Sequence, residues 1–233
     1  MPGFEYRPEG RRGGFEILRL AGIPFFIDLG FIIFMGLVFL FATGSMRMPA
    51  TQAGLLAFVF FFSLLGHEGG HALAARLAGC RHVSVTLIMF GGVTNHEPTT
   101  TGRSLGITLA GPAVSLVLAL GGLAAVWFVP LVQDSPPARD FCRFLGVVNL
   151  IWLIFNMLPI YPMDGGQAIF HTLRFFMREH RAMFLISVIS LVACVVAAAA
   201  IYLLGIRGIM IYFFLIMFFM QNLAAYKQFK GAR

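Results

Sequence analysis

Three residues in one short run have the types and spacing to hold a metal ion and use it. His67, Glu68 and His71 stand in the order His-Glu-x-x-His. On an α-helix, positions i and i+4 share a face, so both imidazoles can reach one zinc ion. Glu68 sits one residue round the helix, close enough to take a proton from water beside that ion. This is the residue set of metal-assisted peptide hydrolysis. The pattern arises by chance in roughly one chain in a few hundred of this length, so its surroundings matter. It lies inside the apolar stretch 53–73, where Glu68 is the only acid and no Lys or Arg occurs. Ionisable groups in such a stretch cost several kcal/mol and mark functional sites. The plainer alternative is three polar residues serving interhelical hydrogen bonds. A lone buried histidine often does that, but three groups in this order seldom do.

A catalytic zinc usually takes three protein ligands and keeps a fourth position open. The four aspartates, Asp28, Asp134, Asp140 and Asp164, lie in or near apolar stretches. Asp164 is the best third ligand. It follows an apolar stretch ending on the same side as His71, in Asn156-Met157-Leu158-Pro159-Ile160-Tyr161-Pro162-Met163-Asp164-Gly165-Gly166. Pro159 and Pro162 break a helix and let the chain turn back. Gly165 and Gly166 allow close backbone approach. Asp164 also suits the N-cap of a following helix, and both roles remain open.

The elements that must position these groups are membrane spans. The chain has 233 residues, 59% of them hydrophobic and 12% charged, against about 25% charged in an ordinary soluble domain. About 20 apolar residues cross a bilayer as a helix. Six stretches approach that test: Leu20 to Phe41, Ala53 to Leu73, Leu105 to Pro130, Phe144 to Leu158, Met183 to Leu204 and Ile209 to Leu223. The first is too long and too far from the start for a cleaved signal peptide, so it reads as a retained span. With a cytoplasmic N-terminus, only Arg47, Arg139, Arg143 and Arg207 of the 17 basic residues fall outside. Positive residues favour the cytoplasmic side. A multi-pass protein of the cell membrane is therefore expected, with both termini and the motif end of the second span toward the cytoplasm. The net charge of +7 is scattered over span ends rather than clustered on one face, which excludes a nucleic-acid partner. Cys80, Cys142 and Cys194 are too far apart for a thiolate metal site.

The fold expected is all-α and polytopic: about six transmembrane helices with a short re-entrant β-hairpin or strand near the active site. Residues 1–19 read as a cytoplasmic arm and 226–233 as a tail. Between them lies one membrane domain, 20–225, with a catalytic core of about 53–170 and flanking gate helices 20–43 and 183–225. His82-Val83-Ser84-Val85-Thr86-Leu87 alternates polar and apolar, which is strand periodicity. It runs into Phe90-Gly91-Gly92-Val93, where paired glycines suit a tight turn. Irregular backbone at membrane depth survives only when buried or facing a wet cavity. Gly111-Pro112 reads as the start of the third span, where proline is tolerated.

On these residues the chain resembles the site-2 proteases, intramembrane zinc metalloproteases. The resemblance rests on His67-Glu68-Gly69-Gly70-His71, the strand ending in Phe90-Gly91-Gly92, Ala110-Gly111-Pro112, and Asn156-x-x-Pro159-x-x-Pro162-x-Asp164-Gly165. It implies that His67, His71 and Asp164 hold one Zn2+ per chain and that Glu68 is the general base. It implies that Asn156 positions the substrate backbone and that the second to fourth spans form the core. It further implies regulated intramembrane proteolysis of a transmembrane protein: a membrane-tethered transcription factor, an anti-sigma factor or a signal-peptide remnant. The appended PDZ and CBS domains of other members do not fit in this length, so the chain resembles the minimal prokaryotic form.

A helical substrate must unwind before attack. The unwound strand is expected to pair with the edge around Leu87, Phe90, Gly91 and Gly92. Two other function classes compete: a catalytically inactive relative that binds membrane partners, and a transporter with a His/Asp relay. Intact Glu68 argues against the first and the lack of repeat symmetry against the second. Cleavage lost on Glu68→Gln would separate all three. His171 and His180, in an Arg-rich segment, are assigned no catalytic role.

Overall fold

The computed structural model of the chain describes residues 14–89, 91–205 and 209–231. Its contacts divide into two units, residues 1–99 with 110–153, and residues 100–109 with 154–233.

The first unit opens with a hairpin. Strands β1 (Phe15–Leu20) and β2 (Ile23–Ile27) pair antiparallel across a two-residue turn. Ala21 and Gly22 both take positive φ, at 47° and 78°, as a type I′ turn requires. Asp28 then stops the strand and starts helix α1 (Leu29–Gly44): its Oδ1 accepts from Phe31 N at 2.6 Å. Helix α2 (Ala50–Leu77) carries the His-Glu-x-x-His run. It ends in a Schellman cap, with Cys80 N bonded to Ala75 O, Gly79 N bonded to Arg76 O and Gly79 at φ 82°. Strands β3 (Ser84–Ile88) and β4 (Gly91–Asn95) complete a four-stranded sheet of order β1-β2-β3-β4. The β2–β3 pair is parallel, with Phe25 opposite Val85.

Helix α3 (Thr101–Phe128), a short turn α4 (Pro130–Gln133) and helix α5 (Pro136–Asn156) follow. Helices α3 and α5 cross where Gly122 meets Gly146: a Cβ on Gly122 would lie 2.6 Å from both Cys142 O and Gly146 N. Such backbone-to-backbone approach is how membrane helices pack without a hydrophobic drive between them.

The second unit contains helices α6 (Asp164–Leu173), α7 (Glu179–Leu203) and α8 (Ile209–Phe229). Ile160, Met163, Cys194 and Leu215 form one buried cluster, and Phe170, Ala182 and Ile186 another.

Three expectations change. The first apolar stretch is not one helix from Leu20: Gly22 and Pro24 disfavour helix, and the segment to Ile27 joins the sheet. Strand β1, Phe15–Leu20, takes in the end of the arm expected over 1–19 and the residue expected to open the first span, while residues 1–13 lie outside the described residues. Pro112 stands inside α3 rather than at its start, because the helix begins at Thr101. Among the described helices, three are long and apolar enough to cross a membrane, α2, α3 and α7, and α1 is a shorter apolar helix.

Candidate metal centre

Helix α2 builds the metal-facing pair within the first unit. His67 and His71 are 2% and 7% exposed, and their Nε2 atoms face each other at 3.2 Å. Two nitrogens on a tetrahedral zinc with bonds of 2.0–2.1 Å stand about 3.3 Å apart, so the spacing suits two ligands of one ion. Each ring is held from outside the helix. His67 Nδ1 lies 2.9 Å from Ser115 Oγ on α3. With the proton on Nδ1 in that bond, Nε2 is the ring's acceptor, the usual way a ligating imidazole is oriented. Trp152 of α5 stands edge-on to the His67 ring, centroids 6.3 Å apart. His71 packs against Gly111, where a Cβ would fall on the imidazole, 2.6 Å from its Cε1.

Glu68 is 6% exposed and is gripped by strand β4. Thr94 Oγ1 lies 2.8 Å from Glu68 Oε2 and 3.2 Å from Glu68 O. Two residues earlier on the same face of the strand, Gly92 makes room for the carboxylate: a Cβ there would lie 2.7 Å from Glu68 Oε1. The helix itself sits tightly on α3, where a Cβ on Gly70 would lie 2.8 Å from Ala110 O. Deeper in this unit, fully buried Asn149 donates to Ser63 Oγ at 2.8 Å.

The carboxylate is built in the second unit. Met163 is the N-cap of α6 and Asp164 is its first-turn acid. The chain before it, with a cis Tyr161–Pro162 peptide, folds back on the first helical turn. Cβ atoms on Gly165 or Gly166 would collide with Met157 O or with Tyr161 N, so only glycine fits at either position. Both peptide groups of Tyr161 are tied down. Tyr161 N donates to Ser190 Oγ of α7 at 2.9 Å, and Asn222 Nδ2 of α8 donates to Tyr161 O at 2.6 Å. Burial pushes the Tyr161 phenol above its ordinary value, with Glu179 adding to the rise.

His67 and His71 in the first unit and Asp164 in the second are all buried. Two imidazoles and a carboxylate are a donor set zinc accepts while keeping a position open. Asn156 is the last residue of α5 and half-buried. Gly91 and Gly92 lie on β4, Gly92 against Glu68, and Phe90 lies outside the described residues. Leu87 departs from expectation. It is 0% exposed on β3, a strand flanked by β2 and β4, so it has no free edge to offer. Among the described strands the outer edges are those of β1 and β4, and β4 is the one that carries Gly91 and Gly92.

Thr94, Ser115 and Gly111 escaped sequence reasoning. A faint signal existed: Gly111 and Ser115 are four apart on a helix, and Gly92 and Thr94 two apart on a strand, so each pair presents one face.

The chain resembles known proteins in sequence and in fold. The chain is 34% identical over 160 residues to sll0528 of Synechocystis sp., which carries the provisional name zinc metalloprotease; the match covers 64% of this chain and 41% of that protein. It is 29% identical over 154 residues to zinc metalloprotease MJ0392 of Methanocaldococcus jannaschii, covering 66% of this chain and 44% of that protein. No family model matches. The fold matches the solved site-2 protease from Methanocaldococcus jannaschii with a TM-score of 0.63 at 19% identity, over 91% of this chain and 95% of that one. The chain is thus similar in sequence to proteins named zinc metalloproteases and in fold to a site-2 protease. It spans under half the length of the first relatives it matches.

Proposed function

We propose that this site-2 protease relative is a zinc endopeptidase that hydrolyses peptide bonds within or beside membrane-spanning segments. The facing Nε2 atoms of His67 and His71, 3.2 Å apart on a span-length helix and next to buried Glu68, carry this reading. His67, His71 and Asp164 are its proposed ligands. Zinc held there supplies Lewis-acid polarisation of a peptide carbonyl and makes water nucleophilic near neutral pH. Glu68 takes the proton of the attacking water as that water adds to the carbonyl carbon. As the C–N bond breaks, Glu68 delivers the proton to the departing amine. Ser115 fixes the ring of His67 and Thr94 aims the Glu68 carboxylate. Asn156 is assigned to holding the substrate backbone.

A substrate helix hides its carbonyls in internal hydrogen bonds and must be drawn out as a strand. The open edge of β4, Gly91–Asn95, offers replacement backbone bonds directly beside Glu68. This moves the pairing surface from Leu87 to β4 and keeps Gly91 and Gly92 in it. The substrate class is a membrane-tethered protein. In this reading α1, α5 and α8 also lie in the bilayer, which makes six spans, with both termini and the metal centre toward the cytoplasm by the distribution of Lys and Arg. A reporter fused after Met48 that reads as cytoplasmic would refute this topology.

The deciding experiment uses the full chain in nanodiscs with single-span substrates, comparing wild type with Glu68→Gln at equal zinc content. Cleavage by wild type alone supports the reading. Zinc-loaded wild type that cuts none of a broad substrate panel overturns it in favour of an inactive partner-binding relative.

A further inference from the structure

At the end of α2 beyond His71, the first unit holds a cavity of about 610 Å3. The hairpin β1–β2 forms one wall. The cap of α2 and the start of β3 form the other, and Phe26 and Val83 contribute apolar surface. Among the described residues, three guanidinium groups line it, from Arg19, Arg76 and Arg81, against one carboxylate, Glu16. That carboxylate is committed. Arg19 Nε lies 3.0 Å from Glu16 Oε1 and Nη2 lies 3.2 Å from Oε2. Through this hydrogen bond Arg19 holds the Glu16 carboxyl below its ordinary value. His82, also on the wall, has its Nδ1 2.8 Å from Glu97. Arg76 and Arg81 have no ion pair among the described residues.

The backbone is shaped around these charges. The Arg76 guanidinium lies over the hairpin turn, where a Cβ on Gly22 would be 2.9 Å from Nη1; the positive φ of Gly22 and its missing side chain admit it there. On the opposite wall the Schellman cap and the positive φ of His82, 52°, turn the chain so that Arg81 and His82 line the cavity. Arg76 and Arg81 both line the cavity with no counter-ion among the described residues, and their planar forks match a phosphate group.

The geometry points to a binding site for a phosphate group at this cavity, held by Arg76 and Arg81, with the Arg19–Glu16 pair as a fixed wall. The ligand class is a phosphate mono- or diester. An anionic phospholipid headgroup and a small soluble phosphate share that chemistry. The apolar surface of Phe26 and Val83 accommodates the glycerol end of the former, and the end of a span-length helix lies where headgroups lie. Occupancy would tie the hairpin to the end of the helix that carries His67 and His71.

The test uses the full chain and does not depend on proteolysis. Detergent-purified wild type, Arg76→Gln/Arg81→Gln and the control Arg103→Gln, outside the cavity lining, are melted in sodium phosphate and in sodium chloride of equal ionic strength. The same proteins are placed in phosphatidylcholine nanodiscs with and without phosphatidylglycerol, and retained lipid is counted by native mass spectrometry. Wild type and the control should show phosphate stabilisation, phosphatidylglycerol retention or both, and the double variant should bind about tenfold more weakly or lose the effect. Stabilisation by inorganic phosphate alone assigns a soluble ligand, and retained phosphatidylglycerol alone assigns the lipid. Arg76→Lys/Arg81→Lys, which keeps the charge, should recover part of the binding; this separates lost contacts from misfolding. Equal behaviour of wild type and double variant, or equal loss in the Arg103 control, overturns the proposal.

Discussion

Replacing Thr94 with valine removes one hydroxyl and leaves a side chain of the same shape that favours a strand. In the structure that hydroxyl is 2.8 Å from Glu68 Oε2, and the glutamate is 6% exposed. A hydrogen bond to a charged group contributes about 1.5–3 kcal/mol. Where the bond aims the base in the transition state, its loss corresponds to roughly tenfold to a hundredfold or slightly more in rate. The loss should fall on kcat. Backbone pairing at β4 is untouched by the substitution, so KM should stay near wild type, and zinc content should be full because Thr94 touches neither histidine ligand. Single-turnover cleavage of a single-span substrate in nanodiscs, with metal content measured on the same sample, reads all three. Thr94→Ser, which keeps a hydroxyl, should recover most of the rate. If the valine variant cuts within about twofold of wild type, below the smallest value expected of a charged hydrogen bond, the aiming role of Thr94 is wrong. A loss of zinc in parallel would mean that β4 supports the ligands rather than the base.

Gly111→Ala puts a methyl group onto the His71 imidazole, so zinc stoichiometry should fall well below one per chain while helicity by circular dichroism stays intact. Ser115→Ala removes the partner of His67 Nδ1 and should weaken zinc binding by about 10–100-fold, read by competition with a chelating dye. Gly122→Ala forces α3 from the backbone of α5 at Gly146 and should destabilise the protein by about 1–3 kcal/mol, measured as a lower melting temperature.

His67, Glu68 and His71 stand out as a candidate set in the chain order because their geometry is local. A helical turn brings His67 and His71 to one face whatever surrounds them, and an apolar stretch makes a solvent-exposed role for Glu68 improbable. Asp164 stands out as a candidate for a similar reason: prolines and glycines around it prescribe a bend, and a bend can deliver a carboxylate. Segment-wise composition also sufficed to find long apolar helices.

The sheet was only half legible. Its β3–β4 part announced itself by alternation, but Ile23–Ile27 is apolar at nearly every position. A continuous apolar run reads equally as helix or as buried strand until a partner is present. Pairing with Val85 and Leu87, far along the chain, settles it, and the same pairing takes from Leu87 the free edge expected of it. The supports of the site belong to this second kind of knowledge. A threonine on a strand, a serine on the third helix and a glycine beside a histidine are ordinary residues in the sequence. They acquire roles only when packing sets Thr94 against Glu68, Ser115 against His67 and Gly111 against His71, because a hydrogen bond or a steric limit exists only between groups the fold has already brought within a few ångströms.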